Sequence, residues 1–158
     1  MLKARAYTGL IFLKSTVDPD YCRSRAEEGL LLIHNPEFLT ARTASTDFAG
    51  QTHIVLGYAD LLPEIIDLVN QVNQFYQLLF PEAQISHVLY ESAALMKLAC
   101  NAFYATKVQF FSELYLLCQQ MGIHYDEVKH LMLQNNWINP QHTQVPGPDG
   151  QISFGGAC

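Results

Sequence analysis

The sequence predicts an α/β fold in which four short apolar strands alternate with helices, followed by a long helix and a small all-α segment. Apolar runs and helical patterns alternate through the first half, and a long stretch without Gly or Pro follows. Alternating strands and helices indicate a parallel sheet that helices cover on both faces. A hydrophobic content of 49% and a charged content of 15% suit a globular chain with a real core.

The four predicted strands are short apolar runs that end in polar or turn residues. They are "TGLIFLKST", "LLLIHNP", "HIVLGY" and "AQISHVLY". Between the first two, Asp18 and Pro19 start a helix and Gly29 stops it. The stretch "LLPEIIDLVNQVNQFYQLLF" has apolar residues at helical spacing until Pro81 ends it.

The long helix is predicted from Glu91 to Met121, with Gly122 as its cap. At ~1.5 Å per residue it would be about 45 Å long, more than the width of a small domain. It is apolar nearly all round, with Leu95, Leu98, Phe103, Phe110, Phe111, Leu114 and Leu117. Such a helix must be buried on several sides, so we expect a partner domain or a second copy of the chain. A short helix, "HYDEVKHLMLQN", and a Pro/Gly-rich loop follow.

Charge and cysteine content exclude several classes of protein. The net charge of −6 argues against a general binder of nucleic acid or anionic membrane, which needs a basic face. The first apolar run is too short for a transmembrane helix. Four cysteines without a C-x-x-C pattern suggest neither a zinc site nor a disulfide framework. The sequence therefore predicts a reduced, acidic, cytoplasmic protein.

Polar residues with no evident packing role follow the first two predicted strands. Ser15 and Thr16 follow the first, and Asn35, Glu37 and Phe38 follow the second. In doubly wound sheets, ligands bind beyond the carboxyl ends of the strands. Ordinary turn chemistry remains the alternative explanation of these residues.

Two further features could carry chemistry. Lys97 and Asn101 stand four apart and project from one helix face, where burial would require a polar or anionic partner. A water-exposed helix edge is the alternative. Cys158 follows two glycines, which allow close approach to the backbone, and a nearby lysine would favour its thiolate. An inert terminal thiol is the alternative there.

The order of these motifs resembles the nucleotide-sugar dehydrogenase family, whose best-known members are the UDP-glucose and GDP-mannose 6-dehydrogenases. The motifs are "KSTV", "NPEFL" with "TA" and "DF" after it, E-x5-K-x3-N-A-F-x-A-x-K, and "VPGPDG" before "FGGAC". The form "WINPQHTQVPGPDG" looks most like the shorter bacterial and phage-type relatives. The resemblance implies that residues 1–89 are the second half of an NAD-binding Rossmann-like domain. Residues 90–158 would be a central helical dimerisation domain that ends at the catalytic cysteine.

The family oxidises a sugar C6 alcohol twice, to a carboxylate, with NAD⁺ and without metal. The resemblance makes Cys158 the nucleophile that captures the intermediate aldehyde as a thiohemiacetal and then carries the thioester. It gives oxyanion stabilisation to Lys97 with Asn101, and activation of the hydrolytic water to Glu37 and Thr16. The remaining implied contacts are Phe38, Leu39, Phe154 and Gly155 with the nucleotide-sugar substrate and Ser15 with the nicotinamide. A homodimer through the long helix 90–121 is also implied.

The chain departs from the family pattern at several points. It has no G-x-G-x-x-G stretch and stops before the usual Phe-Pro-Lys-Asp, so we expect a central fragment that is inactive alone. Ala41 and Arg42 stand where relatives carry an acidic residue, and Trp137 stands where many carry an arginine that reaches a neighbouring subunit's substrate. A non-catalytic, dimerising remnant is the main alternative. A hydroxyacid or 6-phosphogluconate type of dehydrogenase is the third, although those lack a cysteine after Gly-Gly.

Overall fold

The computed structural model describes residues 7–40, 42–59 and 63–153, and its elements follow the predicted alternation of strands and helices. The strands are β1 (Ile11–Leu13), β2 (Leu32–His34), β3 (His53–Tyr58) and β4 (Gln84–Leu89). The helices are α1 (Tyr21–Glu27), α2 (Ala44–Ala49), α3 (Pro63–Leu79), α4 (Tyr90–Met121) and α5 (Tyr125–Leu133). All four predicted strands are present, and the predicted α/β class with a long helix is confirmed. The short helix α2 was not predicted.

The four strands form one sheet in the order β1-β2-β3-β4. β1 pairs with β2 in parallel, and β3 pairs with β4 in parallel over their whole length. The prediction of a wholly parallel sheet is wrong for β2 and β3, which meet antiparallel at His34 and Gly57. A parallel pair requires a crossover, usually a helix that packs on the sheet. Among the described residues of the connection from β2 to β3, α2 is the only helix, and it has six residues and buries none of them.

The core of the first unit lies between the sheet and two helices. Ile33, Ile54 and Leu56 of the central strands are buried together with Tyr76 of α3 and Tyr90 of α4. The Tyr90 hydroxyl donates a hydrogen bond to the Leu32 carbonyl at 2.8 Å, which pins the start of α4 to β2. An ion pair between Arg23 and Glu91 adds a contact between α1 and α4.

The chain divides into two compact units after Leu98, inside α4, whereas the sequence placed the domain boundary at the start of that helix. The reason is that Tyr90, Ala93, Ala94 and Lys97 are buried and belong to the first unit. The NAD-binding and dimerisation roles of the two parts stay predictions.

The second unit has its own small core. Phe111 and Cys118 of α4 are buried together with Tyr125 of α5 and Val145 of the following loop. Gly122 adopts φ of 69° directly after α4, a left-handed conformation that favours glycine and ends the helix as predicted. Within the described residues, no helix is long and apolar enough to cross a membrane.

Candidate active site

Asn35 is the polar hub at the ends of β1 and β2. Its side-chain Oδ1 accepts hydrogen bonds from Lys14 Nζ at 2.8 Å and from the Tyr76 hydroxyl at 2.6 Å. Its Nδ2 donates to the Val55 carbonyl at 2.9 Å, and its backbone N–H donates to the Leu13 carbonyl at 2.9 Å. The buried amide therefore ties together β1, β2, β3 and α3 at the point where the Glu37 loop begins.

Lys14 supplies a positive charge at this edge of the sheet. Burial lowers the pKa of its ammonium, and the negative charge of Glu37 partly opposes that shift. The Glu37 carboxylate also accepts a hydrogen bond from the Leu39 backbone N–H at 2.6 Å. The Leu39 N–H and the positive charge of Lys14 therefore both act on the Glu37 carboxylate. Such contacts suit a carboxylate that must keep a fixed position.

His34 and Ser15 meet beside this hub. His34 is fully buried, and its Nε2 lies 3.3 Å from the Ser15 carbonyl, to which the protonated ring nitrogen donates. Burial lowers the pKa of His34, which keeps the imidazole neutral near pH 7. Ser15 and Thr16 themselves are exposed at the carboxyl end of β1. Their hydroxyl groups are thus accessible where ligands of such sheets bind.

Lys97 is a buried cation that contacts an aromatic ring. Its side chain is in α4 and only 9% exposed, and its ammonium lies 4.9 Å from the centroid of the Phe38 ring. In the described ranges, no carboxylate lies within ion-pair distance of that ammonium. With no carboxylate to pair with, this ammonium is available to an anionic ligand or to solvent. Lys97 is therefore suited to receive a negatively charged oxygen.

Part of the predicted site falls within the first unit, where Lys97 contacts Phe38 and Glu37 contacts Leu39. Ser15, Thr16, Glu37, Phe38, Leu39 and Lys97 all belong to the first unit. Asn101 lies one helical turn beyond Lys97 in the second unit and is exposed, and its side chain makes no hydrogen bond to the described residues. Phe154, Gly155 and Cys158 lie outside the described residues, as does Ala41.

The sequence did not reveal the whole hub. Lys14 and Tyr76 were not singled out, and they lie 21 and 41 residues from Asn35. A lysine and an asparagine at the ends of neighbouring strands were the available signal for the first contact. Among the described residues, no cluster of His, Cys, Asp and Glu could hold a metal ion.

Comparison with known proteins shows what the chain resembles. Residues 91–158 match the sequence profile of the UDP-glucose/GDP-mannose dehydrogenase family, central domain. UDP-glucose 6-dehydrogenase 2 of Arabidopsis thaliana is 29% identical over 127 residues, which is 80% of this chain and 25% of the plant protein. UDP-glucose 6-dehydrogenase of Caenorhabditis elegans is 28% identical over 127 residues, with the same two shares.

Solved structures show the same fold. A UDP-glucose dehydrogenase from the hyperthermophilic archaeon Pyrobaculum islandicum aligns with a TM-score of 0.72 and 27% identity, over 99% of this chain and 36% of that one. A GDP-mannose dehydrogenase from Pseudomonas aeruginosa aligns with a TM-score of 0.66 and 21% identity, over 90% of this chain and 34% of that one.

These similarities confirm the predicted resemblance to the nucleotide-sugar dehydrogenases. The chain spans about a quarter of the length of the curated relatives it matches. A non-catalytic module is not favoured, because the relatives named above are dehydrogenases. The closer affinity to bacterial and phage-type members stays a prediction.

Proposed function

We propose that this chain, whose resemblance to the nucleotide-sugar dehydrogenases is now confirmed, carries the reacting residues of a cytoplasmic, NAD-dependent nucleotide-sugar 6-dehydrogenase. The substrate is a nucleotide sugar of the UDP-glucose kind, and the reaction converts its C6 alcohol to a carboxylate in two oxidations. The product class suits polysaccharide biosynthesis.

The observation that carries the proposal is the environment of Lys97. Lys97 is a buried residue, its ammonium faces the Phe38 ring, and it lacks a carboxylate partner among the described residues. Oxidation of an alcohol and hydrolysis of a thioester both pass through oxygen atoms that gain negative charge. A preorganised cation at such an atom is a large source of rate acceleration. Asn101 would add a hydrogen bond to the same oxygen.

Cys158, Glu37 and Thr16 would carry out the covalent steps of the reaction. The Cys158 thiolate adds to the aldehyde carbon formed by the first oxidation, and the carbonyl oxygen becomes the alkoxide of a thiohemiacetal. Loss of hydride from that carbon gives a thioester. A water molecule positioned by Glu37 and Thr16 then adds to the thioester carbon. The thiolate leaves as the carboxylate forms, and the water's protons pass to Glu37 and solvent.

The exposed end of β1 fits the cofactor. Ser15 and Thr16 offer free hydroxyl groups there, and the Ser15 carbonyl is fixed by His34. These residues would hold the nicotinamide end of NAD⁺, which accepts the hydride in each oxidation. The substrate's sugar would lie against the backbone of Phe38 and Leu39, and the family resemblance adds Phe154 and Gly155 as substrate contacts.

We also propose a homodimer through the long helix, residues 90–121. Phe103 and Phe110 are seven residues apart on one helix face and are 63% and 54% exposed. Leu117 continues the same face and is also exposed. Leu114 instead packs partly against the core of its own unit. Each large apolar side chain that a second copy buries would contribute roughly 1.5 to 3 kcal/mol.

The stoichiometry of the reaction tests the function. In the protein that carries this chain, we expect two NADH per sugar and a uronic acid product. Cys158→Ser should release at most one NADH per sugar and accumulate the aldehyde, because a serine hydroxyl is not ionised near neutral pH and captures the carbonyl poorly. Cys100→Ser, which alters a half-buried cysteine at an unspecified position of the helix motif, is the matched control. Uronic acid formed by Cys158→Ser at close to the parent rate would contradict the proposal.

A further inference from the structure

The contact between Lys97 and Phe38 differs from the other cation–aromatic contacts of the described residues. Arg25 lies over the Tyr21 ring and Lys129 lies over the Tyr125 ring, at 5.6 and 5.4 Å from the centroids. Each of those two cations also pairs with a carboxylate, at 2.9 Å for Arg25 with Glu28 and 2.6 Å for Lys129 with Asp126. Lys97 combines the shortest of the three distances, 4.9 Å, with no such carboxylate.

The kind of group beside Lys97 determines how much of its positive charge is available to a ligand. A carboxylate beside Lys97 would fix its position but would also compete with a developing oxyanion for the ammonium protons. An aromatic face attracts the cation through its quadrupole and forms no hydrogen bond with those protons in the way a carboxylate does. The ring can therefore hold the ammonium while leaving its charge available to a ligand.

The ring itself is held by an anchored loop. Asn35, three residues before Phe38, is fixed by Lys14, Tyr76 and the Val55 carbonyl. Pro36 follows it and is buried, which restricts the backbone further. The Phe38 side chain nevertheless stays 41% exposed, so it is not placed there to fill the core.

We propose that Phe38 is a positioning residue, whose ring holds the Lys97 ammonium at the carboxyl end of β2 so that it meets the substrate oxygen without a competing carboxylate. The contact between Phe38 and Lys97 is observed. That the ammonium meets a substrate oxygen rests on the proposed function.

The contact is tested by NMR of the 158-residue chain. The methylene protons of Lys97 next to Nζ should be shifted upfield by the ring current of Phe38. Phe38→Leu should abolish that shift, and Phe38→Tyr should retain it. Phe48→Leu is the matched control, because Phe48 is 43% exposed and packs against Phe80 rather than a cation. An unshifted Lys97 in the parent chain, or a shift that survives Phe38→Leu, would overturn the proposal.

The consequence is tested by kinetics in the protein that carries this chain, with UDP-glucose as the probe. Phe38→Leu should lower kcat by about 3- to 30-fold, the range of a cation–π contact from partly to fully desolvated. KM should change by less, Phe38→Tyr should restore kcat, and Phe38→Leu should have no further effect in a Lys97→Ala background. A normal kcat for Phe38→Leu would overturn the positioning role.

The NMR measurement tests whether Phe38 holds the Lys97 ammonium, and the kinetic measurement tests whether that contact matters for the reaction. If Lys97→Ala leaves the rate unchanged, the proposed function of Lys97 fails, and with it the role of Phe38 in the reaction. In that case the ring-current measurement still decides whether Phe38 holds the ammonium.

Discussion

Replacing Asn35 by leucine should destabilise the first unit strongly. The leucine side chain cannot accept the hydrogen bond of the Tyr76 hydroxyl or donate to the Val55 carbonyl, and both residues are buried. Each buried polar group left without a partner costs roughly 1 to 3 kcal/mol, so about 2 to 6 kcal/mol should be lost in total. Lys14 is only partly buried and can turn towards water, so it should add little.

Tyr76→Phe provides the graded comparison. It removes one hydrogen bond while Asn35 Oδ1 keeps its bond from Lys14, so the free energy of unfolding should fall by only about 0.5 to 1.5 kcal/mol. Urea unfolding followed by circular dichroism measures both values, and an unchanged m-value shows that the same surface is exposed.

Asn73→Leu is the matched control for these variants. Its side chain binds the exposed His87 ring, so a change within about 0.5 kcal/mol is expected. The reasoning would be refuted if Asn35→Leu were as stable as this control. It would also fail if Tyr76→Phe cost as much as Asn35→Leu.

Two further outcomes follow from the second unit. In sedimentation at micromolar concentration, Phe110→Asp should convert the proposed dimer to monomers, because a carboxylate would replace an exposed ring on the proposed dimer face. A parent chain that is already monomeric would contradict the proposed dimer. Burial and the positive charge of Lys107 lower the pKa of His142 in the folded chain. Below about pH 6.5 the unfolded chain therefore binds the proton more readily, and the free energy of unfolding should fall. Urea unfolding of His142→Gln should show a weaker loss between pH 7 and 5 than the parent or the exposed His130→Gln, and equal slopes would count against this origin.

Sequence patterns predicted the elements that are determined by residues close together along the chain. β3 was predicted at its observed bounds, because the apolar residues 54–56 stand between the polar Thr52 and Asp60. α4 was predicted to within one residue, because its interior contains neither Gly nor Pro and Gly122 ends it. The helix α2 was missed, because "ASTDFA" is short and its Ser, Thr and Asp residues favour turns as readily as helix.

Features that depend on distant contacts could not be predicted from local patterns. The antiparallel pairing of β2 and β3 depends on the path of the connection, which no periodicity encodes. The sequence left open whether Lys97 is buried or lies on a wet helix edge, and its packing against the Phe38 loop shows that it is buried. The same spacing argument placed Asn101 beside it, yet Asn101 is exposed. The role of Cys158 still rests on the family resemblance.

The most direct test of the account is the rate of NADH formation by Lys97→Ala in the protein that carries this chain. If the ammonium stabilises oxyanion character in both oxidations, its removal should cost ~2.7–4 kcal/mol, or about 10²- to 10³-fold in kcat. Mass spectrometry should find no thioester adduct trapped on Cys158, because both steps slow together. A rate within about threefold of the parent, measured on a variant with unchanged stability, would contradict the claim that Lys97 lies at the reacting oxygen.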